Sequence, residues 1–291
     1  MEGSPDTIVE NPGRVVAARA AGVNRFSMGI QTFKTDSLEA CDRRHTAGQV
    51  EEALKVMQAQ GFQEVVVDLI RGLPLQTLQS FVEDAVRLAE LGPDSIFVYR
   101  MRIQRPEEPT SRFWRDRETL PLPPLDDVMA MHYAAHQIFT AYGYRRVNDV
   151  QWTRLPNRSY GSDRWGTRAP LFAFGWQAYS LFPDGETYNA YKLTDWSNRV
   201  GKGEITAERA VSFNENEAEL VWTLFNLKLL KLDPARFRTM FRREFQVSSA
   251  WSKVRRLVEM GLLVEQADHS LMASEPGVVL AEEMVKFVGE K

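Results

Sequence analysis

A single cysteine, Cys41, stands in a chain of 291 residues. That scarcity excludes an intrachain disulfide, and it excludes the three or four thiolates that an iron–sulfur cluster takes from a protein. Long hydrophobic runs are missing too: uncharged stretches such as 170–177 fall far short of the roughly 20 residues that cross a bilayer. No basic stretch followed by an apolar one opens the sequence, so no secretory leader is expected and the chain reads as cytoplasmic, without a membrane partner. Charge of one sign is lacking as well, since 36 Lys and Arg face 39 Asp and Glu for a net −3. A polyelectrolyte that holds nucleic acid by overall charge is thereby excluded. There is no Gly-x-Ser-x-Gly elbow, no Walker phosphate loop and no Cys-x-x-Cys pair, which removes conventional hydrolase, kinase and thioredoxin chemistry. What remains, 44% hydrophobic and 26% charged, is an ordinary globular composition, long enough for one large or two medium domains.

The first 150 residues alternate strand and helix patterns at about 30 residues per unit. Asn11-Pro12 opens a short alanine-rich helix that Gly22 stops, and VNRFSMGI (23–30) then has strand composition. Thr46 caps a helix whose Val50, Ala53, Leu54 and Met57 recur at three- and four-residue spacing until Gly61. EVVVDL (64–69) is nearly continuously apolar, which predicts a parallel strand covered on both faces. A helix over 78–91, halted by Gly92-Pro93, leads to a strand over 95–101. With residues 7–10 counted as a strand, four precede the polar, proline-bearing stretch 104–124. The alternation predicts right-handed βαβ crossovers and a parallel sheet. A complete eight-stranded barrel takes about 250 residues, so the sheet is either small and open or a piece of a larger barrel.

Three segments are expected: 1–150, strand and helix; 151–213, an aromatic-rich connection; 214–291, helical. Residues 128–142 read as a helix and 145–152 as a last strand of the first segment. Tyr160, Trp165, Phe172, Phe174, Trp176, Tyr179 and Phe182, with Gly175 among them, form either a core where helices meet a sheet or the wall of a pocket for a flat substrate. Helices over 215–230, 234–244 and 248–260, followed by two short apolar runs around a polar turn (262–274), resemble a winged helix. Residues 231–256 carry Lys231, Arg236, Arg238, Arg242, Arg243, Lys253, Arg255 and Arg256 against Asp233 and Glu244. That basic stretch is a nucleic-acid surface, a solvated face or an anion-facing lid, and the acidic balance of the whole chain speaks against the first.

His132 and His136 have the four-residue spacing of a zinc-binding pair, but Tyr133 sits where a metalloprotease needs its glutamate and no third ligand is evident. No metal site is expected. His45 and His269 belong to no pattern. Polar residues at strand ends are more informative. Gln31 follows FSMGI, Asp68 lies within VVVDLI, and Gly72-Leu73-Pro74 turns the chain after it. Parallel sheets bind ligands at the carboxyl ends of their strands, so Gln31 and Asp68 on neighbouring strands would converge on one ligand. Glu10 stands in the same relation to residues 7–10. The alternative for Asp68 is a capped turn.

The wording of the sequence is more specific than its periodicity. AGVNRFSMGIQTF (21–33), RRHTAGQVEEAL (43–54), VDLIRGLPLQTLQSF (67–81) and LGPDSIFVY (91–99) resemble, in order and spacing, the oxygen-independent coproporphyrinogen III oxidase family of radical S-adenosylmethionine (SAM) proteins. A weaker likeness continues through FGWQAYS (174–180) and the helices after Ser212. The resemblance implies an α/β fold: a partial TIM-type radical SAM barrel followed by a smaller, mainly helical, winged-helix-like domain. It also implies SAM and a [4Fe–4S] cluster as cofactors, with reductive SAM cleavage to a 5′-deoxyadenosyl radical and hydrogen abstraction from a porphyrin-like or aromatic substrate. By position, Gln31 and Asp68 would hydrogen-bond the SAM, Arg43 would pair with its carboxylate, and Glu10 resembles the acidic residue that binds the same cofactor. Glu10 directly precedes Asn-Pro, where the family places one residue between. The family's Cys-x-x-x-Cys-x-x-Cys ligands have no counterpart, and Cys41 matches none of them. The chain is therefore expected to hold no cluster of its own. It is either a portion completed by an upstream segment or N-terminal partner, or a lineage that lost redox chemistry. Two functions follow: a radical SAM enzyme engaged in decarboxylation, haem handling or methylation, or a non-catalytic protein that binds SAM, haem or, through its winged-helix-like end, nucleic acid.

Overall fold

The structure, a computed structural model, describes residues 1–102, 121–156 and 169–290. Tyr160 and Trp165, and all but 121–124 of the proline-bearing stretch, lie outside them. The chain divides into two compact units, Met1–Asn157 and Arg158–Lys291.

In the first unit the strands are β1 (Glu2–Gly3), β2 (Arg25–Gln31), β3 (Glu64–Arg71), β4 (Ser95–Arg100), β5 (Arg145–Arg146) and β6 (Gln151–Thr153), and the sheet order is β1-β2-β3-β4-β6-β5. The first four are parallel; β6 runs antiparallel to β4 and to β5. Helices α1 (Pro5–Glu10), α2 (Pro12–Ala20), α3 (Thr35–Ala40), α4 (Ala47–Ala59), α5 (Leu78–Leu91) and α6 (Leu125–Ala141) connect and cover them. Thr46 and Thr77 cap α4 and α5 by accepting from Gln49 N and Ser80 N. Gly92, at φ 67, ends α5 in the left-handed conformation that a side chain resists. Alternate residues of three strands, Met28 and Ile30, Val65 and Val67, Ile96 and Val98, meet Leu54 and Met57 of α4, Phe81 and Leu88 of α5, and Met131 and Phe139 of α6 in one core.

Two expectations need correction. Residues 7–10 are not a strand but the body of α1, because Ser4 at the N-cap and Pro5 at the first helical position start a helix there. The edge strand is instead Glu2–Gly3. Residues 145–152 are not one strand either. The Asn148 side chain accepts from Val150 N and Gln151 N at 2.9 and 2.8 Å, folding the segment into the short antiparallel pair β5 and β6. As expected, β3 is a parallel strand covered on both faces, with Glu64, Val65, Val66, Val67 and Leu69 buried. The face turned away from α4, α5 and α6 carries Glu64 and Asp68 beside Val66 and Ile70, and there Val66 clusters with Phe97 and Val150.

The second unit holds a three-stranded antiparallel sheet, β7 (Tyr179–Phe182), β8 (Gly185–Asn189) and β9 (Ala207–Ser212), with helix α7 (Leu193–Lys202) between β8 and β9. A second sheet, in the order β10-β12-β11, combines β10 (Lys231–Leu232) with the hairpin β11 (Leu263–Glu265) and β12 (Leu271–Ala273). It accompanies α8 (Glu215–Lys228), α9 (Pro234–Phe241), α10 (Trp251–Glu259), α11 (Glu275–Val279) and α12 (Ala281–Gly289). Their core centres on Trp222, whose ring lies 5.2 Å from Phe237 and 6.0 Å from Phe245.

Candidate functional site

The face of the first sheet turned away from α4, α5 and α6 changes character along the strands. At the amino ends Arg25 Nε donates to Glu64 Oε2 at 2.8 Å, Ser95 Oγ to Glu64 Oε1 at 2.6 Å, and the Ser95 and Thr153 hydroxyls lie 2.8 Å apart. This ladder crosses β2, β3, β4 and β6 and satisfies the buried Glu64 carboxylate. Val66 and Phe97 follow, with the Arg25 guanidinium 5.7 Å from the Phe97 ring centre.

Beyond them, towards the carboxyl ends, comes Asp68. Its register partners are Gly29 on β2 and Phe97 on β4, so all three point to the same face. The carboxylate accepts no hydrogen bond among the described residues. Burial first, and then the charge of Glu2, push its pKa up to about 7 against the opposing charge of Arg25. Tyr99, two residues after Phe97 on the same face, is raised as well, by burial first and then by Asp68.

Gln31 ends β2 at φ 63, just after a register irregularity between Gly29 and Gln31. Its side chain folds back over Gly29: a Cβ on that glycine would lie 2.8 Å from Gln31 Nε2. The amide therefore sits above the register partner of Asp68, and the two predicted residues occupy neighbouring positions on one face. The backbone around Gln31 is tied down on both sides. His45 Nε2 is 3.0 Å from the Ile30 carbonyl, and the Thr32 hydroxyl donates to the buried Asp84 carboxylate of α5. Burial lowers the pKa of His45 and raises that of Asp84 to about 6, the Thr32 hydrogen bond opposing the latter shift. Gln76 closes the turn after β3 by accepting from Gly72 N at 2.7 Å and donating to the Ile70 carbonyl at 3.1 Å.

Arg43 lies exposed in the loop between α3 and α4, where its N–H donates to the Leu38 carbonyl at 2.9 Å. His45, two residues on, links that loop to the end of β2. Glu10 is exposed at the end of α1, on a helix rather than at a strand end. The acidic residue that shares the face is Glu2, whose partner Ser27 stands two residues before Gly29 and whose charge acts on Asp68. Sequence reasoning passed over it, yet a signal was present: in Glu2-Gly3-Ser4-Pro5 one residue separates the acid from a polar-proline pair. Chemically, the strand ends offer two carboxylates and an amide to a ligand rich in hydrogen-bond donors or positive charge.

The other candidates look different in place. His132 is buried with neither ring nitrogen hydrogen-bonded among the described residues, and burial, then the charges of Arg71 and Arg146, press its pKa down to about 3. His136 Nδ1 lies 3.4 Å from Trp152 Nε1. Among the described residues no group of three His, Cys, Asp or Glu is placed to hold a metal ion, and none of their helices is long and apolar enough to cross a membrane. In the second unit Phe172, Phe174, Trp176 and Tyr179 are exposed rather than core. A groove of about 630 Å³ is lined by Gln177, Tyr188, Asn189, Tyr191, Glu208 and Arg209, with the Arg209 guanidinium 4.1 Å from the Tyr188 ring centre. Much of the basic stretch is engaged internally: Arg238 with Glu244 at 2.7 Å, Arg243 with Glu219 and Arg255 with Glu259 at 3.2 Å, and Lys231 with Asp268 at 3.8 Å.

Comparison with known proteins sets this geometry beside named relatives. No family model matches the chain. The heme chaperone HemW of Haemophilus influenzae is 26% identical over 97% of this chain and 73% of its own length. The HemW of Escherichia coli is 26% identical over 78% of this chain and 58% of its own. An oxygen-independent coproporphyrinogen III oxidase of Synechocystis is 30% identical over 70% of this chain and 46% of its own. Among solved structures, coproporphyrinogen III oxidase (HemN) from Escherichia coli, described as a radical SAM enzyme, matches 99% of this chain and 68% of its own with a TM-score of 0.80 at 21% identity, a likeness of fold.

Proposed function

We propose that the chain is a member of the oxygen-independent coproporphyrinogen III oxidase-like (HemN/HemW-like) radical SAM family, as its HemW and coproporphyrinogen III oxidase relatives and its fold suggest, and that it binds SAM at the carboxyl ends of β1, β2 and β3. The observation that carries this reading is Asp68, a carboxylate in the carboxyl-terminal half of β3 that accepts no hydrogen bond among the described residues and has a raised pKa. SAM brings an ammonium, ribose hydroxyls and a sulfonium, and when bound it supplies an activated carbon–sulfur bond. Asp68 and Glu2 accept from its donors, the Gln31 amide does so with its oxygen and donates with its nitrogen, and Arg43 pairs with the methionyl carboxylate. Glu2 takes the acidic role that Glu10 holds in the sequence reading. In the same reading the parallel strands are a piece of the TIM-type barrel, and residues 214–291 are the winged-helix-like domain.

The residues present do not fit the cluster. Cys41, at the C-terminal cap of α3, is the one thiol in the sequence, against the several that an iron–sulfur cluster requires. The activity proposed for this chain's own residues is binding. The second ligand in this reading is a flat, carboxylate-bearing ring system of the porphyrin kind, suggested by the names of the relatives. Tyr188, Tyr191 and Arg209 offer it ring faces and a cation. The internal pairing of the C-terminal cations speaks for this over nucleic acid.

Equilibrium dialysis with SAM tests the proposal. Asp68→Ala and Arg43→Ala are each expected to weaken binding at least tenfold, since each removes a charge-assisted contact of about 1.5–3 kcal/mol. No binding by the wild-type chain, or unchanged affinity in both folded variants, overturns it.

A further inference from the structure

Gln31 is a long-chain residue in the left-handed region, where its Cβ crowds the backbone, so the surrounding structure has to hold it there. The residues on either side of it are each tied by a buried side chain from a different element. His45, from the loop between α3 and α4, bonds the carbonyl of Ile30. Asp84, from α5, takes the hydroxyl of Thr32, and Thr32 Oγ1 in turn accepts from Lys34 N at 3.1 Å. Thr32 and Asp84 are 0% and 1% exposed. The neighbours of Asp84 along the inner face of α5 are Phe81, Ala85 and Leu88, all packed in the core. An apolar side chain at that position would serve packing better than a carboxylate taken out of water. What the carboxylate adds is directional bonding to the two residues that follow Gln31, the Thr32 hydroxyl and the Phe33 backbone N–H.

We infer that Asp84 and His45 form a two-sided clamp on the exit of β2, and that Asp84, acting through Thr32, is a positioning residue that aims the Gln31 amide over Gly29. This rests on the reading that Gln31 faces SAM, and the two can fail separately. Hydrogen exchange and SAM dialysis on the full chain decide it. Thr32→Val keeps the shape of the side chain but removes the donor; Thr32→Ser keeps the donor. In Thr32→Val, amide exchange over 31–34 should quicken at least tenfold while the rest of the unit is unchanged, and SAM affinity should fall about tenfold. Thr32→Ser should restore both. The double variant Thr32→Val with Asp84→Leu removes the buried carboxylate together with its hydroxyl partner, though it also leaves the Phe33 N–H without an acceptor; it should be more stable than Thr32→Val alone and still bind SAM weakly, a combination that a purely structural contact does not give. Unchanged local exchange in folded Thr32→Val overturns the clamp, as does loosening spread evenly over the unit. Local loosening with unaltered SAM affinity overturns the positioning role. A wild-type chain that binds no SAM, yet loosens only over 31–34 in Thr32→Val, removes the cofactor reading and supports the clamp.

Discussion

Replacing Asp68 by asparagine should stabilise the protein at the same time as it weakens the site. Asp68 keeps its proton up to about pH 7 in the folded state, whereas in the unfolded chain it ionises near 3.8. Between those values the folded state binds more protons than the unfolded one, so this group makes stability fall as pH rises, and its full cost is present above pH 7. A shift of about three pH units corresponds to roughly 4 kcal/mol; because the carboxylate is only half-buried and solvent reaches the face it stands on, about 2–4 kcal/mol is the realistic range. Asparagine has nearly the same shape and cannot ionise. Urea denaturation of wild type and Asp68→Asn at pH 8 should therefore differ by that amount in favour of the variant, and the gain should shrink to under about 1 kcal/mol near pH 4, where the folded state is protonated and the unfolded carboxyl is close to its midpoint. SAM affinity at pH 8 should fall at least tenfold in the same variant. A gain that does not vary with pH, or a loss of stability at pH 8, would refute the assignment of Asp68 as an ionisable group kept for a ligand.

Two further outcomes follow from specific contacts. Gly29→Ala puts a methyl group 2.8 Å from Gln31 Nε2, the far end of a flexible side chain, so the fold should survive with little change in melting temperature while SAM affinity drops about tenfold; unaltered affinity would mean that the Gln31 amide does not face the ligand from above Gly29. Trp222→Ala empties the centre of the second unit's aromatic core, where the ring touches Phe237, Phe241 and Phe245, and should lower stability by about 3–5 kcal/mol in denaturant unfolding.

Much of the first unit can be read from capping and spacing. Thr46 and Gly61 bracket a helix, and Gly92-Pro93 marks the end of another, because those residues act on the backbone within one turn. The segment 7–10 misleads because Thr7, Ile8 and Val9 are β-branched, and the start signal in Ser4-Pro5 outweighs them. Asp68 stands out in sequence as a charge inside an apolar run. Asp84 does not: on a helix a carboxylate looks like a solvent-facing residue until the helix is docked, and only then does its place at 1% exposure show. His45 is hidden for a similar reason, since its partner is a backbone carbonyl 15 residues away. Glu2 stands on a two-residue strand with no periodicity to detect, so only its spacing to Ser4-Pro5 marks it in the sequence.

The ladder of Arg25, Glu64, Ser95 and Thr153 has an effect far from where it lies. Parallel strands can slide past one another, and a slip of one residue turns every side chain to the opposite face. Here such a slip would drive the Glu64 carboxylate in among Val65, Val67 and the helices, without Arg25 or Ser95 to meet it. The polar crosslink thus keys the alignment of β2 against β3. Four residues further along, on the order of 13 Å away, that alignment is what sets Gly29 opposite Asp68. A conservative change at the foot of the sheet, such as Ser95→Ala, would be felt as lost precision at the strand ends before it was felt as lost folding.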